Sequence, residues 1–156
     1  MDTPRRPIRS VLFVCAGNIC RSPLAEAAFR DIVRSRPPLA DVTVGSAGVI
    51  AMTGNRATME AVDVADEAWG VDLSTHRARN IEGLDADLIL AVDRWVLREL
   101  RALAPAGRVE LLGDYAGMPG EVADPYGCDA DTYRECAAHI RELVEAAAVR
   151  IERDTR

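Results

Sequence analysis

The chain of 156 residues contains no lysine, so all 19 of its basic residues are arginine, and only 4% of its residues are aromatic. Asp and Glu together number 25, which gives a formal net charge of −6. Because no cluster of basic residues is interleaved with aromatic ones, we expect no nucleic-acid-binding surface. The absence of lysine in a chain rich in alanine indicates a GC-rich genome rather than a function.

Long apolar runs and dense cysteine are missing as well. No apolar run approaches the roughly 20 residues that a membrane-spanning helix needs, so no membrane partner is expected. Four cysteines at this length do not make a disulfide framework, and no Cys or His spacing is typical of a zinc site. We therefore expect a cytoplasmic protein with no metal and no cofactor. Residues 1–8 are predicted to be a flexible tail, and residues 9–156 a single domain.

Strands and helices alternate along the chain. Helices are predicted at 23–35, 57–69 and 130–153, with a short one ending near 103, strands at 9–14, 42–46, 87–92 and 109–112, and a long loop at 113–129. This alternation predicts the α/β class, with a four-stranded parallel sheet covered by helices on both faces. Ligands bind such sheets at the carboxyl ends of the strands.

One loop carries the strongest chemical pattern. The apolar run 11–14 predicts a buried strand, Cys15 follows it directly, and Ser22 and Pro23 predict the N-cap and first position of a helix. Backbone N–H groups and the helix dipole favour an anion there, and a cysteine in that field ionises readily to the nucleophilic thiolate. Arg21 offers a planar fork for two phosphate oxygens. The loop therefore predicts transfer of a phosphoryl group onto Cys15.

The same loop contains residues suited to unusual backbone conformations. Gly17 and Asn18 tolerate the left-handed conformations that turn successive N–H groups inward.

The segment from Val14 to Pro23 matches Val-Cys-x-Gly-Asn-x-Cys-Arg-Ser-Pro at every fixed position. It thus resembles the low-molecular-weight protein tyrosine phosphatases, whose signature this is. Asp124-Pro125-Tyr126 and the segments 45–48 and 76–79 are also similar to that family, and the resemblance covers about residues 9–151. It implies the flavodoxin-like fold of these phosphatases. It also implies hydrolysis of phosphotyrosine in a protein substrate through a phosphocysteine.

The resemblance also implies roles for single residues. Cys15 is the expected nucleophile, Arg21 stabilises the transferred phosphoryl group, and Asp124 is the general acid that later activates water. An Asp-Pro pair alone is a common turn, but its place in the long loop supports this role. The remaining expected phosphate-binding or pocket residues are Ala16, Gly17, Asn18, Ile19, Cys20, Ser22 and Tyr126. A buried network that includes Asn18, Ser22, Ser46 and His76 is expected to support the loop, and Cys15 and Cys20 are a candidate redox pair.

The leaving group leaves two alternatives open. Residues 49–55 contain no aromatic side chain and resemble the protein arginine phosphatase branch of the family. That branch, however, has threonine at the position of Ile19, and an apolar branched side chain suits a phenyl ring better than a guanidinium. The sequence therefore favours phosphotyrosine, with phosphoarginine as the alternative.

Two other classes share the loop. An arsenate reductase needs relay cysteines, and segment 75–80 has none, which leaves only Cys128 and Cys136, the latter predicted to lie in the core. A non-catalytic phosphate-binding module would have no need of Asp124.

Overall fold

The computed structural model describes residues 6–155. The strands are β1 (Ser10–Cys15), β2 (Thr43–Gly48), β3 (Leu88–Ala91) and β4 (Arg108–Leu111). The helices are α1 (Arg21–Val33), α2 (Met59–Trp69), α3 (Arg94–Leu103), α4 (Leu112–Tyr115) and α5 (Ala130–Asp154), with a 3₁₀ turn at Pro37–Leu39. The predicted alternation is confirmed, with most element ends displaced by one or two residues.

The four strands form one parallel sheet in the order β2-β1-β3-β4. Across the sheet, the chain passes from β1 toward the β2 edge, whereas from β3 it passes toward the β4 edge. Right-handed crossovers therefore place α1 and α3 on opposite faces. The packing agrees, since α1 contacts α2 and α5 whereas α3 contacts β3 and β4. The carboxyl ends of β1 and β3 are neighbours, with Val14 paired to Ala91, so residues that follow these strands meet at one edge.

The sheet is buried between the helices. Because both faces are covered, β1 and β3 are almost continuously apolar, as a buried parallel strand must be. The core includes the fully buried side chains of Phe13, Leu24, Phe29, Leu88, Ile89, Leu90 and Leu100. Cys136 also belongs to this core, as predicted from its helical spacing. None of the helices in residues 6–155 is long and apolar enough to cross a membrane.

The start of α1 differs from the prediction. The helix begins at Arg21 with Cys20 in the N-cap position, and no side chain caps it. Ser22 and Pro23 therefore lie inside the first turn instead of at the N-cap and first position. The reason is tertiary: the Ser22 hydroxyl contacts Cys15 Sγ at 2.9 Å and is committed to the loop rather than to the helix end.

The predicted long loop is more ordered than expected, and the last residue of the predicted tail contacts the fold. The predicted loop 113–129 begins with the short helix α4, in which Tyr115 is buried and donates a hydrogen bond to Asp154 Oδ2 at 2.8 Å. Most of the predicted tail, residues 1–5, lies outside the described residues. Its last residue, Ile8, is buried, and its N–H donates to the carbonyl of Asp154 at 2.9 Å, so the chain is anchored from that point.

Candidate active site

The loop between β1 and α1 surrounds the sulfur of Cys15. Cys15 is the last residue of β1 and is buried. The backbone N–H of Asn18 donates to Sγ at 3.2 Å, and the Ser22 hydroxyl lies 2.9 Å away. When the sulfur is ionised it can only accept, so both groups then donate to it. The loop thus stabilises negative charge on Cys15 through two hydrogen bonds in addition to the N-terminal end of α1.

Asn18 holds the loop in shape. Its φ of 59° is left-handed, as predicted, whereas Gly17 does not take a positive φ. The buried Asn18 amide nitrogen donates to the hydroxyls of Ser22 and Ser46 at 2.9 and 3.0 Å. Its amide oxygen accepts from the Arg79 backbone N–H at 3.0 Å. The side chain therefore satisfies donors and acceptors from α1, β2 and the segment that follows α2.

His76 closes this network from outside. Its Nε2 lies 2.7 Å from the carbonyl oxygen of Asn18. Because a carbonyl only accepts, the ring proton sits on Nε2. The structure thus brings together all four residues of the expected network, Asn18, Ser22, Ser46 and His76.

Gly48 lets β2 approach the loop closely. A Cβ at this position would collide with the carbonyl oxygen of Ala16 and lie 3.0 Å from the nitrogen of Asn18. Any larger residue would push away the backbone that carries the N–H donor to Cys15. This contact explains why glycine ends the Gly45–Gly48 segment.

Arg21 is buried, with its guanidinium held by the neighbouring strand. Its Nη1 donates to Asp93 Oδ2 at 2.7 Å and to the Val122 carbonyl at 2.8 Å. Burial by itself would lower the pKa of Arg21. The hydrogen bond to Asp93, with the charges of Cys15 and Asp93, outweighs that effect and raises the pKa above its ordinary value. The cation is therefore permanent and fixed in direction.

Asp93 is the site residue that the sequence left without a role. It lies two residues past the end of β3, and its second oxygen, Oδ1, caps α3 by accepting from the Val96 N–H at 2.8 Å. One carboxylate thus orients Arg21 and starts a helix. Its position one residue past the buried apolar run of the third strand was the available signal, because β1 and β3 end at the same edge.

Asp124 lies across the cleft from the loop. Its Oδ2 is 4.0 Å from Arg21 Nη2, its Oδ1 accepts from the Tyr126 N–H at 3.1 Å, and its side chain is 55% exposed. The structure therefore brings the three predicted catalytic side chains around one cleft, Cys15 and Arg21 from the loop after β1 and Asp124 from a loop about a hundred residues further along the chain.

The cleft has a volume of about 300 Å³ and largely apolar walls. Ile19 and Tyr126 line it, as predicted, together with Ile50 and Met52, which sequence reasoning missed. Ile50 and Met52 belong to segment 49–55, which contains no aromatic residue. The other lining residues are Ala16, Gly17, Cys20 and Asn55.

Cys20 is buried beneath the loop. Its Sγ lies 3.2 Å from the Tyr133 hydroxyl and 3.8 Å from that of Thr58. Burial raises the pKa of this thiol, although both hydrogen bonds oppose the shift. All four cysteines are free thiols, with Cys128 exposed. No group of three or more His, Cys, Asp or Glu side chains that could hold a metal ion occurs within residues 6–155.

Comparisons with known proteins agree with this geometry. Residues 10–156 match the family model described as low molecular weight phosphotyrosine protein phosphatase. A "Probable low molecular weight protein-tyrosine-phosphatase EpsP" of Ralstonia nicotianae is 38% identical over 149 residues, covering 92% of this chain and 97% of that protein. A "Protein-arginine-phosphatase" of Bacillus subtilis is 35% identical over 151 residues, covering 94% and 99%.

A solved structure extends the likeness to three dimensions. The low molecular weight protein tyrosine phosphatase from T. tengcongensis superposes with a TM-score of 0.82 at 34% identity, covering 90% of this chain and 98% of that one. An α/β sheet with a cysteine-to-arginine loop at its carboxyl edge and an aspartate across the cleft is typical of the cysteine-dependent phosphatases. The chain belongs to the low molecular weight phosphotyrosine protein phosphatase family and is a hydrolase.

Proposed function

We propose that this protein removes the phosphate from phosphotyrosine in protein substrates through a phosphocysteine on Cys15. One observation carries the proposal: the Cys15 sulfur, with two hydrogen-bond donors aimed at it, lies in the same cleft as the Arg21 guanidinium and the Asp124 carboxyl group. A nucleophile, a fixed cation and a proton donor are what cleavage of a phosphate monoester requires.

In the first step the Cys15 thiolate attacks phosphorus and the bond from phosphorus to the phenolic oxygen breaks. Asp124 gives its proton to that oxygen, so tyrosine leaves as a neutral phenol. Asp93 and Val122 hold Arg21 through Nη1, which leaves the rest of the guanidinium free to donate to two phosphate oxygens. Loop N–H groups between residues 16 and 21 complete the cradle.

In the second step Asp124, now ionised, takes a proton from water. The resulting nucleophile attacks the phosphocysteine, the bond from sulfur to phosphorus breaks, and inorganic phosphate leaves. The electron pair returns to Cys15 as the thiolate, which the Asn18 N–H and the Ser22 hydroxyl again stabilise. Ser46 and His76 act at one remove by holding Asn18 in place.

The walls of the cleft support an aryl substrate. Ile19, Ile50, Met52 and Tyr126 present apolar surface to whatever lies beyond the phosphate, and among residues 6–155 Asp124 is the only carboxylate that lines the cleft. A phenyl ring suits such walls, whereas the N–H donors of a phosphoarginine guanidinium would be left unpaired against Ile19. Phosphoarginine is retained as the second candidate because of the 35% identity to a protein arginine phosphatase.

We also propose that the protein acts in the cytoplasm. Its four cysteines are free thiols, which supports a reducing compartment, where Cys15 keeps its reactive form. We further propose that Cys15 and Cys20 form a redox pair.

The deciding experiment measures kcat/KM for two peptides of one sequence, one carrying phosphotyrosine and the other phosphoarginine. We expect a preference for phosphotyrosine of roughly ten- to a hundred-fold, the effect of burying one unpaired donor. Cys15→Ser should abolish turnover of both peptides while still binding vanadate. Preference for phosphoarginine would reverse the assignment of substrate, and turnover by Cys15→Ser would refute the phosphocysteine.

A further inference from the structure

The loop that carries Asp124 is held in place by three consecutive residues before it. The Val122 N–H donates to the Val92 carbonyl at 3.0 Å, and the Val122 carbonyl accepts from Arg21 Nη1 at 2.8 Å. The Ala123 carbonyl accepts a weak bond from the Cys136 thiol of α5 at 3.8 Å.

The first of the three attachments is made by a side chain. Oε1 of Glu121 accepts from the backbone N–H of Arg94 at 2.7 Å, which joins the loop to the start of α3. Arg94 is the first residue of α3, so its N–H has no partner inside the helix. The Glu121 carboxylate therefore satisfies an otherwise free donor and faces the positive end of the α3 dipole.

The contact of Asp93 with Arg21 and the contact of Arg94 with Glu121 are both made at the start of α3. Asp93 and Arg94 are consecutive residues at the start of α3, where Asp93 holds the Arg21 guanidinium and Arg94 holds Glu121. The loop that carries Cys15 and Arg21 and the loop that carries Asp124 are thus both held by the start of α3. Asp124 itself is largely exposed, accepts the Tyr126 N–H and lies 4.0 Å from Arg21 Nη2, so its position also depends on where residues 121–123 are held.

We propose that Glu121 is a positioning residue for Asp124: by accepting the Arg94 N–H, it fastens the acid loop to the first turn of α3. The inference rests on the acid role of Asp124 proposed above. Without this bond, the loop keeps the two backbone contacts and the buried side chain of Val122 and the weak thiol bond to Ala123, but it loses its link to the start of α3. Proton transfer to the leaving group then suffers, while attack by Cys15 does not.

The test compares two substrates that differ in their need for a proton. Phenyl phosphate has a poor leaving group and needs the acid, whereas 2,4-dinitrophenyl phosphate does not. We expect Glu121→Ala to lower kcat/KM for phenyl phosphate about fivefold, the size of one ordinary hydrogen bond lost at an exposed site, and to leave 2,4-dinitrophenyl phosphate nearly unchanged. Glu121→Gln keeps an acceptor oxygen and should recover most of the loss. The matched control is Glu99→Ala, which removes a carboxylate from an exposed position on α3.

The donor side allows a reciprocal test. Proline is well tolerated at the first position of a helix, and the extended backbone of Asp93 (φ −147°, ψ 172°) suits a following proline. Arg94→Pro removes the N–H and leaves Glu121 intact, and Arg94→Ala removes only the side chain. We expect Arg94→Pro to reproduce the Glu121→Ala pattern and Arg94→Ala to behave as wild type.

Combination with Asp124→Asn separates positioning from a general loss of structure. If Glu121 acts through Asp124, Glu121→Ala has no further effect on phenyl phosphate in the Asp124→Asn background. An equal loss on both substrates, a loss that persists in that background, or full activity of Arg94→Pro would overturn the proposal. If Asp124→Asn itself slows both substrates equally, the acid role of Asp124 fails. If Asp124→Asn is selective and Glu121→Ala is not, only the positioning role fails.

Discussion

Removal of the Asp93 carboxylate should reduce stability and catalysis by amounts that can be measured separately. Asp93→Ala deletes the cap of α3, which accepts the Val96 N–H at 2.8 Å, and such caps contribute about 1 kcal/mol. It also takes a partner from the Arg21 guanidinium, whose side chain is only 5% exposed. Breaking a fully buried ion pair costs about 3–5 kcal/mol. Asp93 is partly exposed and Arg21 keeps its bond to Val122, so we take about 2 kcal/mol for this part.

The expected loss in free energy of unfolding is therefore about 3 kcal/mol, read from urea denaturation. Asp93→Asn should lose less, because its single amide oxygen can still accept from either the Val96 N–H or Arg21, although not from both. In activity, Asp93→Ala frees the guanidinium to move, and we expect kcat/KM for p-nitrophenyl phosphate to fall about 10- to 100-fold.

Asp129 provides a matched control. It caps α5 through the Thr132 N–H at 2.9 Å and makes no contact with Arg21. Asp129→Ala should therefore lose only the stability of a cap and retain activity. If Asp93→Ala unfolds no more easily than Asp129→Ala and keeps wild-type kcat/KM, the ion pair with Arg21 contributes neither stability nor orientation, and the reasoning is refuted.

Three further perturbations and one pH dependence test the remaining contacts. Ile19→Thr should raise kcat/KM for a phosphoarginine peptide relative to the phosphotyrosine peptide, because a hydroxyl can pair with the guanidinium, and an unchanged ratio would contradict this. Gly48→Ala should lower activity at least tenfold by displacing the loop backbone, and full activity would show that the loop yields without harm. Mild peroxide should link Cys15 to Cys20 and inactivate the enzyme reversibly, as peptide mapping would reveal. If Cys20→Ala recovers under thiol as fully as wild type, Cys20 has no protective role. Burial raises the pKa of Cys136 from 9.0 to about 12, so between these values the unfolded chain releases a proton that the folded chain keeps. The free energy of unfolding should thus fall as pH rises through this window, and Cys136→Ala should flatten that decline.

Local chemistry made the loop from Cys15 to Arg21 predictable from the sequence. A strand end, a left-handed residue and a helix start follow one another within seven residues, and the strand end and the left-handed residue are governed by their neighbours in the chain. The same holds for α2, which ends at Trp69 as predicted, because Gly70 follows it with a φ of 62°. The apolar stripe of α5 likewise predicted correctly that Cys136 lies in the core.

The partners of that loop come from far along the chain, and only the tertiary structure decided them. Asp93 lies 72 residues from Arg21, and the two meet because β1 and β3 are adjacent strands that end at the same edge. The side chain of Ser22 could serve the helix or the sulfur equally well on local grounds. The fold settled the choice, because β2 and Asn18 draw that hydroxyl into the buried network.

The same limit applies to the acid loop and the cleft walls. An Asp-Pro pair in a long loop marks a turn, but nothing in its neighbours specifies which helix start will hold it. Glu121 and Ile50 are, in the sequence, an ordinary surface glutamate and an ordinary isoleucine. They acquire roles only because parallel strands bring the loops that follow them together. The chemistry of the nucleophile was therefore predictable from one contiguous segment. The orientation of Arg21, the position of the general acid and the walls of the cleft depend instead on how distant strands pair.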